Sequence, residues 1–269
     1  MVKVDPDWWR KIFDEIYLIT DARSVCDHTL TCREVDFLEQ VLALDKSWPI
    51  LDLCGGQGRH SLELSRRGFK DVTVLDYSEF LIDLGRKAAK EEGLKILFVR
   101  KDARNTALPD LKFRVVMIMA SSFGYFSDES DNEKILCEVF RLLMPGGVLL
   151  LDLPNRDFIL DSFRPLSWHE ASDDIVVCRQ RRLGKEVIYT REMVLSKEKG
   201  LIRDEYYSTR IYKDEKISRM LRSAGFSSVD IRKNFISHEK QGDYGCMDNR
   251  MIVIAFKGLE AAPIEDSRC

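Results

Sequence analysis

The sequence has no stretch approaching the ~18 apolar residues that a membrane-spanning helix requires, so no membrane partner is expected. The segment Met1 to Arg10 is charged and lacks the apolar centre of a signal peptide. None of the seven cysteines stands in Cys-x-x-Cys spacing or beside a histidine at a recognised metal-ligand spacing, so no zinc site is expected. An odd, scattered set of thiols fits a reducing compartment, and the expected location is the cytoplasm. A large excess of one charge is also lacking. The formal net charge is −3, which favours no polyanionic partner, so nucleic acid is not expected. The longest basic cluster, Arg179, Arg181 and Arg182 around Gln180, reads as a solvated strand surface. Repeats and low-complexity tracts are lacking too, and nothing in the sequence specifies an oligomer.

What remains is a chain with 45% hydrophobic and 32% charged residues, the balance of an ordinary globular protein. Trp8 to Thr20 is predicted as one amphipathic helix, and Thr31 to Leu44 as a second. Short, continuous apolar runs follow at Ile50–Leu53, Val72–Leu75, Ile96–Val99, Val115–Met119 and Val148–Leu151, as expected of parallel strands buried on both faces. Helices lie between them, one capped by Ser78 and one by Asp131. Strands alternating with helices imply βαβ crossovers and a doubly wound α/β sheet.

After Leu153 the rhythm changes. Residues 154–171 read as irregular and rich in aromatics, and three longer antiparallel strands follow up to Tyr212. A helix from Asp214 and two final strands complete the sheet. The expected division is residues 1–153 for N-terminal helices and the ligand-binding half of the sheet. Residues 154–212 form an inserted β lid, 213–257 the rest of the sheet, and 258–269 a polar tail.

The informative segment is Leu51-Asp52-Leu53-Cys54-Gly55-Gly56-Gln57-Gly58-Arg59-His60. It ends a strand and opens a helix, so backbone N–H groups face a ligand at the helix N-terminus. Gly56 and Gly58 allow close approach because no Cβ intervenes. The segment Gly56-Gln57-Gly58-Arg59-His60-Ser61 lacks the third glycine of a dinucleotide fingerprint. Asp52 at the strand end would repel a pyrophosphate but suits the cationic amino group of a methionine-type ligand. Asp76 ends the next strand, where it can accept both ribose hydroxyls, and Asp102 follows the third, within reach of an adenine amino group.

Asp52 through Gly58, Asp76, Asp102 and the Pro145-Gly146-Gly147 turn resemble the successive motifs of class I S-adenosylmethionine-dependent methyltransferases, over roughly Trp48 to Leu153. The resemblance implies a seven-stranded sheet with its last strand antiparallel, and S-adenosylmethionine as methyl donor. It departs once, with Cys54 where the family has its first loop glycine. The donor-binding residues so implied are Tyr17, Arg33, Asp52, Gly55, Gly56, Gly58, Asp76, Tyr77, Asp102, Ala103 and Ala120; Arg59 is a further partner for the donor carboxylate. The Asn/Asp-Pro-Pro-Tyr motif of adenine and glutamine-amide methylation is absent from Ala120-Ser121-Ser122-Phe123-Gly124-Tyr125-Phe126. The inserted strands are similar to the lid of small-molecule methyltransferases.

The acceptor is therefore expected to be a small molecule, methylated on nitrogen or oxygen, in a pocket formed by Ser122, Tyr125, Trp168 and Arg210. Methyl transfer is an in-line displacement that positioning can accelerate, so a catalytic side chain is not required. His169 is the candidate base should the acceptor be a hydroxyl, and no metal is expected. The alternative is a protein that binds S-adenosylmethionine without transferring methyl, as a sensor or partner subunit.

Overall fold

The computed structural model describes residues 4–238 and 244–259; the expected polar tail lies outside them from residue 260 onward. Two sheets form the framework. The larger is seven-stranded: β1 (Ile50–Leu53), β2 (Val72–Asp76), β3 (Ile96–Arg100), β4 (Phe113–Ile118), β5 (Leu143–Pro154), β10 (Ser228–Phe235) and β11 (Arg250–Phe256). Its order is β10-β11-β5-β4-β1-β2-β3, and the last strand in sequence, β11, is antiparallel to both neighbours.

The four residues of β1 are all buried, because helices cover both faces of the sheet. The two-residue period of the strands divides the core. Leu51, Leu53, Val116, Ile118, Leu149 and Leu151 face α6 (Glu129–Leu142) and α8 (Asp214–Ser223). Ile50, Val115, Met117, Val148 and Leu150 pack with Val35 and Leu38 of α3 (His28–Leu42) and Leu64 of α4 (Arg59–Arg66). The chain reverses its order between β1 and β4, and a ligand crevice is expected outside the strand ends at that switch point.

The second sheet is antiparallel, in the order β6-β7-β8-β9, comprising Leu166–Glu170, Ile175–Leu183, Val187–Ser196 and Gly200–Arg210. It has one strand more than expected. The segment read as irregular contains α7 (Arg156–Asp161) and β6, whose alternating exposed residues gave no buried run to read. The N-terminal helix also differs. Trp8–Arg10 is a single 3-10 turn, and α1 (Glu15–Thr20) begins after Asp14, whose carboxylate accepts from the Ile16 and Tyr17 amides. A short α2 (Ala22–Val25) follows, and α3 starts three residues early, capped by Asp27. Ser78 caps α5 (Glu79–Glu91) as expected, but Asp128, not Asp131, caps α6. Among the described residues no helix is long and apolar enough to cross a membrane.

Candidate active site

A cleft of about 730 Å³ opens at the carboxyl ends of β1, β2 and β3, lined among others by Gly56, Asp76, Tyr77, Asp102 and Ala103. The loop between β1 and α4 shapes its floor. Cys54 takes a left-handed backbone at φ 59°, a region any side chain can enter at a cost of about 1–2 kcal/mol. Gly55 is dictated by space: a Cβ there would lie 2.6 Å from the Asp52 carboxyl carbon.

Asp52 itself does not line the cleft; it is fully buried beneath the loop, where Oδ2 accepts from Ser61 Oγ at 2.8 Å. Its Oδ1 has no partner, and burial pushes the carboxyl up to about 7. Asp76 fastens the loop from the second strand, accepting from the Gly56 amide through Oδ2 and the Ser78 amide through Oδ1, each at 2.8 Å. Burial raises its carboxyl above the usual range, although these amides oppose the shift. Burial also pushes Asp102 up, but the Arg104 fork outweighs it and holds the carboxyl below its ordinary value. Tyr77 stands edge-on to Trp9, ring centroids 4.8 Å apart, over the cleft mouth.

A second cavity, of about 920 Å³, adjoins the first beneath the antiparallel sheet. Phe13, Tyr17 and Tyr125 line both, so the two share a wall. Ala120 and Ser121 close the second cavity from the end of β4, in consecutive left-handed conformations at φ 56° and 58°. Such strain, about 1–3 kcal/mol per residue, persists where surroundings enforce it. Here the Ala120 amide donates to Asp152 Oδ2 at 2.9 Å, and Asp152 is gripped by Arg250.

The lid side of this cavity carries charged and acidic side chains. Arg179 is buried, contrary to the solvated surface expected for its cluster. Its Nε donates to Glu192 at 2.8 Å from the facing position on β8, and its Nη2 donates to Asp21 at 3.0 Å. Alternation on β7 turned Arg179 inward with Val177, while Gln180 and Arg182 stay exposed.

Several expected site residues lie elsewhere. His169 lines neither cavity; its Nε2 is 3.3 Å from the Thr20 carbonyl oxygen, and burial lowers its ring's basicity. Trp168 is 70% exposed, since β6 is an edge strand and alternation points it outward. Arg210 spans from β9 to the Phe126 and Ser127 carbonyls, and borders a separate surface pocket. Arg33 donates to the Ser237 carbonyl at 2.9 Å, away from both cavities. Ala120 lies in the second cavity and Ser122 in the first, the reverse of the expected assignment. Among the aromatics of residues 154–212, Tyr207 alone lines the second cavity, whereas Tyr212 packs on Phe123 in the core.

Sequence reasoning missed a buried ionic array behind the loop. Glu34 of α3 joins Arg59 at 2.5 Å, His60 at 2.9 Å and Arg250, which reaches on to Asp152 at 2.5 Å. Although burial opposes it, Arg59 and Arg250 hold the Glu34 carboxyl far below its ordinary value. Arg59 thus serves this array, and only a long-range contact map would have paired residues 34 and 250. The sequence reading also overlooked that His28 and Cys32, four residues apart on α3, share a helix face.

Residues 50–147 match a family model described as a methyltransferase domain. Among curated proteins, YqeM of Bacillus subtilis (strain 168), which carries a methyltransferase name, is 28% identical over 201 residues, 73% of this chain and 81% of that protein. A glycine/sarcosine N-methyltransferase of Halorhodospira halochloris is 27% identical over 221 residues, covering 78% of this chain and 77% of its own length. A ubiquinone/menaquinone biosynthesis C-methyltransferase, UbiE of Cronobacter sakazakii, is 29% identical over 186 residues, 67% of either chain. The structure of an S-adenosylmethionine-dependent methyltransferase from Clostridium acetobutylicum shares the fold with a TM-score of 0.71, at 19% identity over 90% of this chain and 96% of its own. That of CalS10, an amino pentose methyltransferase from Micromonospora echinaspora, gives 0.66 at 15% identity, over 90% and 97% of the two chains.

Proposed function

Since this chain belongs to the class I S-adenosylmethionine-dependent methyltransferases, we propose that it transfers the methyl group to a nitrogen or oxygen of a small molecule held in the second cavity. The observation that carries this reading is the common wall of Phe13, Tyr17 and Tyr125 between the loop-floored cleft and the lidded cavity. One compartment suits the donor and the other an acceptor whose nucleophile meets it there.

The residues of the first cleft fit the donor. Asp76 retains lone pairs for ribose hydroxyls beyond those given to its two amides, and Asp102 borders the cleft where an adenine amino group can donate. Asp52 lies beneath the glycine loop and not in the cleft, so its carboxylate acts on the donor's ammonium group through its charge and not by a direct hydrogen bond. When bound, the donor provides an electrophilic methyl on a sulfonium.

The protein's part is then to orient and to exclude water. Tyr17 and Tyr125 have phenols pushed well up by burial, so both stay neutral and act as positioning walls at the junction. The Arg179–Glu192–Asp21 array gives the acceptor cavity both a cation and carboxylates, which suits an acceptor carrying polar or ionised groups. With His169 outside the cavities, acceleration rests on placement. The glycine/sarcosine and amino pentose relatives are consistent with an amine acceptor.

The test is transfer from a donor labelled in its methyl group to a panel of small amines, amino acids, amino sugars and phenols, with product structure read by mass spectrometry. Label on nitrogen or oxygen of a small molecule supports the reading. Label only on carbon, protein or nucleic acid overturns it.

A further inference from the structure

A cluster that lines neither cavity has the composition of a metal site. His28 and Cys32 stand four residues apart on the same face of α3, and Glu63 reaches them from α4. One ligand atom from each lies within 4.8 Å of the other two. The Cys32 Sγ is 3.6 Å from His28 Nε2. Zinc bonds of about 2.3 Å to sulfur and about 2.0–2.1 Å to nitrogen, at the tetrahedral angle, place those atoms about 3.6 Å apart.

We propose that His28, Cys32 and Glu63 bind one divalent cation of borderline softness, of the zinc class, clamping α3 to α4. Thiolate with imidazole selects such an ion over magnesium or calcium, which take oxygen ligands. Glu63 is largely buried, yet its carboxylate is not saturated. Arg67 Nε donates to Oε1 at 2.8 Å and Arg66 Nη1 to Oε2 at 3.3 Å, and the place that the Cys32 thiol takes on this carboxylate is released when the thiol gives up its proton to bind the ion. The two arginines do not make the surroundings repulsive, because they are shared among four carboxylates: Glu63 and Glu92 for Arg66, and Glu63, Asp36 and Glu39 for Arg67. The local balance is anionic before the thiol is counted. His28 is exposed, so its ring can turn to close the remaining distance, and water can fill the fourth position. An ion here joins the helix that contributes Glu34 to the helix that opens on the glycine loop, outside the chemistry of either cavity.

The experiment is equilibrium dialysis of the full chain against Zn(II), with Co(II) as a spectroscopic probe. The expected result is one ion per chain, and with cobalt a thiolate charge-transfer band and the intense visible bands of a tetrahedral ion. His28→Ala and Cys32→Ser should each weaken binding by about 100-fold or more, beyond what loss of an outer-shell partner costs. The affinity for S-adenosylhomocysteine, measured on the same samples, should be unchanged, which establishes that the variants fold. No bound ion in the wild type, or equal affinity in both variants, overturns the proposal. If Cys32→Ser also loses S-adenosylhomocysteine, the exposed His28→Ala decides alone.

Discussion

Replacing Asp76 by alanine removes a carboxylate whose two oxygens hold the Gly56 and Ser78 amides while facing the donor cleft. Two losses follow. The ribose hydroxyls lose their acceptor, and the loop that carries Gly56 loses its anchor to β2. A hydrogen bond to a charged group contributes about 1.5–3 kcal/mol. Loss of the ribose contact alone therefore weakens donor binding about 10- to 150-fold, since 1.4 kcal/mol is tenfold. Asp76→Asn should do nearly as badly. Its amide NH₂ would have to face either the Gly56 or the Ser78 N–H, donor against donor, so the loop cannot keep both anchors. Titration calorimetry with S-adenosylhomocysteine reads the affinity, and circular dichroism confirms the fold. Wild-type affinity in Asp76→Ala, or full rescue by Asp76→Asn, would refute the reasoning.

Gly55→Ala should displace the loop, because the new methyl meets the Asp52 carboxyl; donor affinity should fall at least tenfold, with an overpacking cost of about 1–3 kcal/mol in denaturant unfolding. Asp52 is raised to about 7, so it is protonated below that pH; donor-product affinity should rise as pH climbs through 7, and binding at pH 6 should release a proton, seen by calorimetry in buffers of differing ionisation enthalpy. An affinity flat across that window would show that the Asp52 charge does not act on the ammonium group. His169→Ala should leave single-turnover rates at the wild-type level at every pH, whereas a fall of about 10²–10⁴ would restore it as a base. Arg250→Met should destabilise by about 3–5 kcal/mol in urea unfolding, by leaving buried Asp152 without its cation while Glu34 keeps Arg59; a change under 1 kcal/mol would mean that the Asp152–Arg250 pair is not ionised.

The parallel half of the fold was legible because its strands are continuous apolar runs and its ligand loop is local. Asp52 to Gly58, Asp76 and Asp102 each follow a strand, so topology alone gathers them. Their division of labour was not legible. Whether Asp52 lines the cleft or lies under it depends on Gly55 packing, which spacing does not encode. The acceptor side was harder for the same reason. Trp168 and Arg210 looked like pocket residues by type, but edge-strand alternation sends one to solvent and two carbonyls capture the other. Arg179 looked like surface and is buried, because its partners sit 13 residues ahead on β8 and 158 back beside α2. Pairings at that range leave no periodic trace.

The most direct test of the central claim fills the second cavity while leaving the first intact. Thr190 lines the second cavity from β8 and is not part of the wall of the first, so Thr190→Trp places a large ring where the acceptor is held to sit. The measurement is methyl-transfer rate paired with S-adenosylhomocysteine affinity, on the same preparation. Transfer should fall at least tenfold with donor-product affinity within about threefold of wild type, since displacement from a near-attack position is costly. Undiminished transfer in a variant whose structure shows the ring in the cavity would contradict it.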